Sequence, residues 1–369
     1  MSTIFGDFVR DQTVRGNKTI KVPGRLEFTI QDVDISLVNG IRRSIIMDVP
    51  TVSFKFDSVD PLKQDVKVLH NTGNLHNEII GERIGLIPLN LSKNQMIDYN
   101  PASWRYELDV TNKGTRPLDV TTKDISIVPL DASDEVLNPE NIFKPDPLSK
   151  RYPIITTLMP PKHGVNQRLS FEALTSFGKG TEHARYSPVS VCAFMPVVDE
   201  EAAKQERIKR DDKRSFDALD AKRMILKDNK GKPKAFNFFL ESACGMSPEE
   251  IIESGIELLS SRLRKLSDDI DGPRVIDVPR QTDSPVDIYS LKLNEETDTV
   301  GSILQMELLD NKITDFAGYY IPHQLETSIV IRMRIIENKT PRAIIRAACE
   351  SAATKVENLL TQWQKSTKN

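Results

Sequence analysis

The chain has few of the residues that build disulfide frameworks or metal centres. Its three cysteines, Cys192, Cys244 and Cys349, are scattered, and none lies in a Cys-x-x-Cys spacing. An odd number argues against a disulfide framework, and a structural zinc site needs four ligands. We therefore predict three buried thiols in a reducing compartment. The five histidines do not cluster with the cysteines, so we expect no bound metal.

Long apolar runs are also absent. No stretch approaches the roughly 20 apolar residues that a membrane-spanning helix needs. The first residues, MSTIFGDFVRDQ, lack the cationic start and apolar run of a secretory signal. We expect an intracellular protein without a membrane segment.

Neither sign of charge dominates, since the net charge is -3. This argues against a broad surface that grips phosphates, so we expect little or no direct DNA contact. The basic stretch RIKRDDKR at 207–214 is nearly neutralised by its own acids, and we interpret it as solvated surface.

No catalytic set is evident. The segment GKGT at 178–181 lacks the spaced glycine and the Lys-Ser/Thr pair of a phosphate-binding loop, and a simple turn is favoured. Neither a G-x-S-x-G motif nor a paired-carboxylate site occurs, so we predict no catalytic residues and no cofactor.

Hydrophobic periodicity divides the chain into two similar units. Each runs through a strand, a helix, further strands and a long amphipathic helix, which predicts an α+β fold with small antiparallel sheets. A polar, Pro-rich stretch of short alternating runs predicts a β-rich insertion in the first unit. The predicted parts are an N-terminal arm (1–23), a discontinuous first unit (24–89 and 186–270) with an exposed, partly helical charged excursion (199–234), the β-rich insertion (90–185), a linker (271–284) and the second unit (285–369).

Each unit carries an apolar helix stripe that a small sheet alone would struggle to cover. Two such units can cover each other, which predicts an intramolecular pseudo-dimer and no further self-association. The residues predicted at this interface are Ile41, Ile45, Ile256, Leu259, Leu263, Val300, Leu304, Val356, Leu359, Leu360 and Trp363.

Several blocks resemble one protein family. DISLVNGIRRSIIMDVPT, from Asp34, resembles the alpha motif of the assembly subunits of multisubunit RNA polymerases. LHNEIIGERIGLIPL, VTTKDI, GKGTEHARYSPVSVCAF and FNFFLESACGMSPEEIIESGIELL look like further blocks of the third-largest-subunit type. ETDTVGSILQMELLDNKITDFAGYYIPHQLETSIVIRMRI, from Glu296, closely resembles the small partner, the eleventh subunit of the eukaryotic nuclear enzyme. The blocks follow the family order and span most of 25–365.

In most relatives these two types are separate chains, whereas here one chain carries both. Such a fusion is reminiscent of polymerases encoded by large DNA viruses. A viral origin would imply the host cytoplasm, in a virus factory, as the location, with the virion as a second one.

The resemblance implies a scaffold for a DNA-directed RNA polymerase that does no chemistry itself. The paired units would form the platform on which the largest and second-largest subunits assemble. Small zinc-binding adaptor subunits are further expected partners. The iron–sulfur or zinc site of some archaeal relatives is not carried over, because the insertion lacks cysteines between 90 and 185.

Two adjacent arginines stand out in the first apolar helix. Successive helical residues are about 100° apart, so Arg42 and Arg43 can flank a buried stripe and point outward. The resemblance implies that Asn39, Arg42 and Arg43 contact the second-largest subunit. The second unit has Gln305, Met306 and Glu307 at the corresponding stretch, which would leave it to hold the largest subunit. The alternative is that both arginines are merely solvated.

Two other functions stay open at this point. The chain could be a free interaction scaffold outside a polymerase, which co-purification with very large chains would distinguish. It could also be an enzyme, which would require nucleotidyl transfer by the isolated chain.

Overall fold

The computed structural model describes residues 4–15, 18–57, 60, 64–130, 137–279, 288–310, 314–336 and 339–367. Its strands are β1 (Phe5–Arg15), β2 (Lys18–Gln31), β3 (Pro50–Ser53), β4 (Val66–Asn71), β5 (Trp104–Thr111), β6 (Leu118–Thr121), β7 (Ser126–Pro129), β8 (Ile154–Leu158), β9 (Arg168–Ala173), β10 (Ser176–Lys179), β11 (Val189–Pro196), β12 (Ala235–Ser242), β13 (Val275–Val278), β14 (Ile288–Asn294), β15 (Thr314–Tyr320) and β16 (Ser328–Ile335). Its α-helices are α1 (Ile35–Met47), α2 (Asn77–Gly85), α3 (Lys93–Asp98), α4 (Pro139–Ile142), α5 (Glu200–Lys209), α6 (Lys213–Ser215), α7 (Pro248–Asp268), α8 (Asp298–Asp310) and α9 (Pro341–Thr367).

The first unit is an antiparallel sheet in the order β1-β2-β12-β11, with α1 and α7 packed on it. Helix α1 begins where the Asp34 carboxylate accepts a hydrogen bond from Ser36 N at 2.8 Å. Helix α7 begins with a capping box between Ser247 and Glu250, and Pro248 occupies its first turn. These caps satisfy backbone N–H groups that have no partner inside the helix.

The second unit repeats this arrangement. Its antiparallel sheet has the order β13-β14-β16-β15, and α8 and α9 occupy the places of α1 and α7. The turn from the second strand into the helix contains a left-handed residue in both units, Asp32 with φ 56° and Glu295 with φ 62°. The α+β prediction with small antiparallel sheets is confirmed.

A further sheet, β4-β9-β5-β7, and the two-stranded pairs β10-β3 and β6-β8 lie outside these two units. They enclose a separate core that includes Phe54, Ile84, Trp104 and Phe171. This core starts at Val52, so the boundary predicted at residue 90 is wrong. The chain leaves the first unit after α1, because the side chains from Val52 onward pack with the inserted strands.

Two predicted connecting segments belong to the sheets instead. The predicted arm at 1–23 contains β1, which pairs with β2 and buries Phe5 in the core of the first unit. The predicted linker at 271–284 contains β13, which pairs with β14 as an edge strand; its residues 280–284 lie outside the described residues. Both segments are polar, and strands at a sheet edge need only one apolar face.

The charged excursion is folded and partly helical. It buries Ala203 of α5 together with Phe216. Its last part reaches both units, with Lys232 Nζ 3.6 Å from Asp34 Oδ2 and Lys230 Nζ 3.9 Å from Asp310 Oδ1. These two ion pairs connect the excursion to the start of α1 and to the end of the equivalent helix α8.

Candidate functional site

The predicted interface residues lie in one continuous core between the two units. We call the surface where α1 and α7 meet α8 and α9 the seam. Ten of these residues are buried there, and Leu360 is partly buried against them; the ten are Ile41, Ile45, Ile256, Leu259, Leu263, Val300, Leu304, Val356, Leu359 and Trp363. The two half-cores therefore form a single apolar interior.

Two glycines let the seam helices approach closely. A Cβ on Gly40 of α1 would lie 2.9 Å from Ile303 Cδ1 of α8 and 3.3 Å from Leu259 Cδ2 of α7. A Cβ on Gly255 of α7 would lie 2.5 Å from Ile45 Cγ1 of α1. Glycine costs helix stability, so its presence here reflects the space between helices rather than helix propensity.

A buried carboxylate joins the units at one end of the seam. Glu296, at the start of the second unit's helix, is 2% exposed, and its Oε2 lies 2.8 Å from Arg262 Nη2 of α7. Arg262 also lies 3.6 Å from Asp48, and Arg274 Nη2 lies 3.5 Å from Glu296 Oε1. Burial outweighs these two arginines and raises the pKa of Glu296 above its ordinary value.

The long helices α7 and α9 run antiparallel along the seam and are tied by polar pairs. Arg264 grips Glu357 with two bonds, Nε to Oε1 at 2.9 Å and Nη2 to Oε2 at 2.8 Å. The Ser260 hydroxyl donates to the same carboxylate at 3.2 Å. The Arg264 hydrogen bond lowers the pKa of Glu357.

The end of α9 packs on the sheet of the first unit. The Trp363 ring lies 5.0 Å from the ring of Phe28, 5.2 Å from Phe5 and 5.8 Å from Phe8. Its indole N–H donates to the Glu249 carbonyl at 3.3 Å. An aromatic ring with a satisfied polar edge is a strong anchor, so the second unit's last helix is fixed to the first unit's sheet.

The two arginines of α1 face different surroundings. Arg42 Nε donates to Asn39 Oδ1 at 3.0 Å, and the Cys192 thiol of β11 donates to the Arg42 backbone carbonyl at 3.9 Å. Burial raises the pKa of Tyr319 in the second unit, and the positive charge of Arg43 partly offsets this rise. Both arginines are half-buried.

A cleft of about 600 Å³ lies beside Arg43 at the boundary of the units. Lys179, Glu182, Arg262 and Glu296 are among the residues that line it. Within the described part of the chain, Arg43 Nε is buried and has no hydrogen-bond partner.

The GKGT segment contains the last two residues of β10 and then a turn, at Gly180 and Thr181, that packs against the end of α1. The Thr181 hydroxyl donates to the Met47 carbonyl at 2.6 Å. A Cβ on Gly180 would lie 2.0 Å from the Ile46 carbonyl oxygen, so only glycine fits against this backbone.

The three cysteines are not paired in disulfides. Cys192 and Cys349 are buried and Cys244 is partly buried, all three as free thiols. Burial raises the pKa of Cys192 and of Cys349 to about 12.

Among the residues that the structure describes, no three His, Cys, Asp or Glu side chains come together as a metal site. In the same part of the chain, each helix is too short or too polar to cross a bilayer.

Sequence reasoning missed the residues that complement the apolar stripes. They are Gly40, Gly255, Arg262, Arg264, Glu296 and Glu357. Glycine inside an apolar helix pattern was the available signal for the first two. The charged residues gave no signal, because their partners lie 34 and 93 positions away in the chain.

Comparison with known protein families identifies the family to which both units correspond. The family described as the RNA polymerase Rpb3/Rpb11 dimerisation domain matches twice, over residues 27–263 and over residues 289–362. The first match alone covers more than half of the chain, and the chain belongs to this family. The two matches correspond to the two units that meet at the seam.

Individual relatives are distant. The chain is 28% identical over 188 residues to the conjugation stage-specific protein of Tetrahymena thermophila, a stretch that covers 46% of this chain and 55% of that protein. It is 25% identical over 167 residues to the DNA-directed RNA polymerase subunit Rpo3 of Methanobrevibacter smithii, covering 45% and 53%. It is 23% identical over 285 residues to subunit RPAC1 of RNA polymerases I and III of Saccharomyces cerevisiae, covering 65% and 82%. The chain spans about half the length of most of the curated relatives it matches.

Proposed function

We propose that this chain is the assembly scaffold of a DNA-directed RNA polymerase and does no chemistry itself. The observation that carries the proposal is the occurrence of two dimerisation-domain matches in one chain whose helices share one core. Relatives of this chain include polymerase subunits of an archaeon and of a yeast. The joined units would be the platform for the largest and second-largest subunits.

The chain would thus be a fusion of a third-largest-subunit type with an eleventh-subunit type. Covalent linkage makes pairing of the units intramolecular, so their effective concentration is in the millimolar range or above rather than set by expression. The filled seam leaves no need for a second copy. Fusion suits a large DNA virus, in which case the chain would act in the host cytoplasm and be carried in the virion.

The first unit would hold the second-largest subunit through Asn39, Arg42 and Arg43. Guanidinium groups make planar, two-point contacts to carboxylates and carbonyls, which suits a protein interface. Both arginines are only half-buried, so part of each side chain remains accessible to a partner at this edge. The second unit, with Gln305, Met306 and Glu307 at the equivalent place, would hold the largest subunit. Small zinc-binding adaptors would join around this core, with little or no DNA contact by this chain.

The test is purification of the tagged full chain from its native source at moderate salt, with each co-eluting chain identified. Wild type is compared with Arg42→Glu/Arg43→Glu. We expect two very large subunits with the wild type and selective loss of the second-largest with the variant.

A matched control is Lys222→Glu/Arg223→Glu, an adjacent exposed pair in the excursion with the same change of charge. This control should retain both large subunits. If both also stay on the Arg42/Arg43 variant, the scaffold stands but the arginine contact is wrong. If no large chain accompanies the wild type, a free interaction scaffold outside a polymerase becomes the better interpretation.

A further inference from the structure

The second unit exposes a sheet face that the seam does not use. Helices α8 and α9 cover the face that carries Leu291, Ile331 and Ala317. Alternate residues of each strand point to the opposite face. That opposite face, here called the outer face, comprises Ile276 and Val278 of β13, Ile288, Ser290 and Lys292 of β14, Val330, Arg332 and Arg334 of β16, and Phe316, Gly318 and Tyr320 of β15.

The outer face mixes cations with exposed apolar groups. Phe316, Tyr320 and Ile276 are each nearly half exposed. Arg332 and Arg334 are exposed on β16. Aromatic and arginine side chains together are typical of the centres of protein–protein interfaces.

The equivalent face of the first unit differs in charge. The left-handed turn residues Asp32 and Glu295 are equivalent in the two units. Five positions before them lie Glu27, which pairs with Phe239, and Ser290, which pairs with Arg332, so these two strand pairs correspond. By the same register, the pair Arg25–Glu241 corresponds to Ile288–Arg334, and Thr29–Asn237 corresponds to Lys292–Val330. Two acids and one base therefore stand where the second unit has three bases.

On the equivalent face of the first unit, the charged side chains pair with one another. Arg25 lies 2.7 Å from Glu27 and 2.5 Å from Glu241, and its guanidinium lies over the Phe239 ring. On the outer face of the second unit, Arg334 pairs with Asp315 and Lys292 pairs with Glu326 at its margins. Within the described part of the chain, no carboxylate pairs with Arg332, which lies at the centre between them.

We propose that the outer face of the second unit binds an acidic protein segment with apolar side chains, supplied by one of the large polymerase subunits. A carboxylate of that segment would pair with Arg332, and its apolar groups would cover Phe316 and Tyr320. The proposal deepens the proposed function and rests on it. The charge on this face, opposite to that on the equivalent face, specifies a partner that the first unit would not bind.

A nucleic acid fits this face less well. Phosphate binding requires several free cations, and here two of the three are already neutralised by Asp315 and Glu326. Phe316 lies opposite Arg334, whose charge Asp315 neutralises, and Tyr320 lies opposite Val330, so the two aromatic rings do not follow a row of free cations. Binding of RNA is therefore an outcome that would overturn the proposal.

The experiment places a photo-crosslinker on this face in the complete polymerase. Tyr320 is replaced by p-benzoylphenylalanine in the tagged full chain, the complex is purified and irradiated, and crosslinked peptides are identified. We expect a crosslink to an acid-rich segment of a large subunit. Arg332→Glu in the same chain should lower its yield about tenfold, because like charges then face each other across the interface.

The chain offers matched controls. Met195 is 57% exposed and pairs with Asn237 as Tyr320 pairs with Val330, so the crosslinker at Met195 probes the equivalent place in the first unit. It should not reach the same segment. Arg223→Glu, an exposed change of the same charge, should leave the Tyr320 crosslink intact.

Failure of this inference differs from failure of the proposed function. If both large subunits co-purify but Tyr320 yields no crosslink to them, or a crosslink to RNA, the outer face is not their docking surface and the scaffold role stands. A crosslink unchanged by Arg332→Glu would also overturn the role of the charge. If no large subunit co-purifies with the wild type, the proposed function fails, and this inference fails with it.

Discussion

Arg262 of the first unit holds Glu296 of the second unit across the seam, with 2.8 Å between Arg262 Nη2 and Glu296 Oε2. The Glu296 side chain is 2% exposed, so solvent hardly reaches its carboxylate. Removing one partner of such a pair leaves an uncompensated charge, which is more costly than never having built the pair.

The first prediction concerns that pair. Arg262→Ala should lower the free energy of unfolding by about 2–3 kcal/mol at neutral pH, because Glu296 then lacks its nearest cation. Urea unfolding followed by tryptophan fluorescence measures the loss. Arg264→Ala, at a pair whose two side chains are more than two-fifths exposed, should cost much less. Equal losses for the two variants would show that burial of Glu296 does not matter.

The second prediction is a pH dependence. Burial raises the pKa of Glu296 above its ordinary 4.5, so the folded state favours the protonated form. Its contribution to stability is therefore complete below pH 4.5 and is lost as the pH rises through the folded-state pKa. Relative to Glu296→Gln, the wild type should lose stability as the pH increases from 4 to 8, measured by urea unfolding at each pH.

Glu357 serves as the control of opposite sign. Its pKa is lowered by Arg264, so its contribution is present above its unfolded-state pKa and is lost as the pH falls through its folded-state pKa. Relative to Glu357→Gln, the wild type should lose stability on acidification. The same slope for both comparisons would contradict the assignment of these shifts.

The third prediction separates the two seam glycines. Alanine is a better helix former than glycine by up to about 1 kcal/mol. Whether the added Cβ clashes therefore decides whether each substitution raises or lowers the free energy of unfolding. At Gly40 the Cβ would meet the flexible ends of Ile303 and Leu259, and Gly40→Ala should be nearly neutral. At Gly255 the Cβ would lie 2.5 Å from Ile45 Cγ1, close to the backbone of α1, and Gly255→Ala should cost about 1–3 kcal/mol.

A double-mutant cycle tests the cause. Ile45→Ala removes the clashing atom, so its cost should be smaller in the Gly255→Ala background than in the wild type. Additive losses would place the effect of Gly255→Ala elsewhere than at this contact.

The fourth prediction uses the two tryptophans as reporters. Trp363 lies in the core shared by the two units and Trp104 in the core of the inserted strands. In a Trp104→Phe background, Leu263→Ala should shift the fluorescence unfolding midpoint to lower urea. In a Trp363→Phe background, the same substitution should move the Trp104 transition much less, because the cores are separate. A single coincident transition in both backgrounds would show that the cores unfold as one.

The fifth prediction concerns the thiols. Because burial raises the pKa of Cys192 and Cys349 to about 12, the native chain should hold both as unreactive thiols at pH 8. A chromogenic disulfide reagent should label Cys244, which is partly exposed, first and slowly. All three should react at once in denaturant. Fast labelling of Cys349 in the native chain would mean that α9 opens from the seam.

Local chemistry in the sequence was sufficient for the main helices and their buried faces. The cap at Ser247 and Glu250 and the proline at 341 mark the starts of α7 and α9, since both act within one turn. The apolar stripes of these helices are buried at the seam, because a 3.6-residue period leaves only one face that can be covered.

Contacts between distant segments decided the rest. The predicted arm and linker became β1 and β13 because a strand edge was available to each, and no local pattern encodes that edge. The division between cores fell at Val52 rather than at residue 90, because the inserted strands compete for the same apolar side chains. The different surroundings of Arg42 and Arg43 depend on what packs on each side of α1.

The sequence by itself determined that two similar units exist and which helix faces they bury, since helix caps and apolar period are local properties. Only the tertiary structure decided that Glu296 meets Arg262, that glycine is required opposite Ile45, and that Arg332 lies on an exposed sheet face without a carboxylate partner among the described residues. Pairing, clash and exposure are relations between residues far apart in the chain, and folding alone brings those residues together.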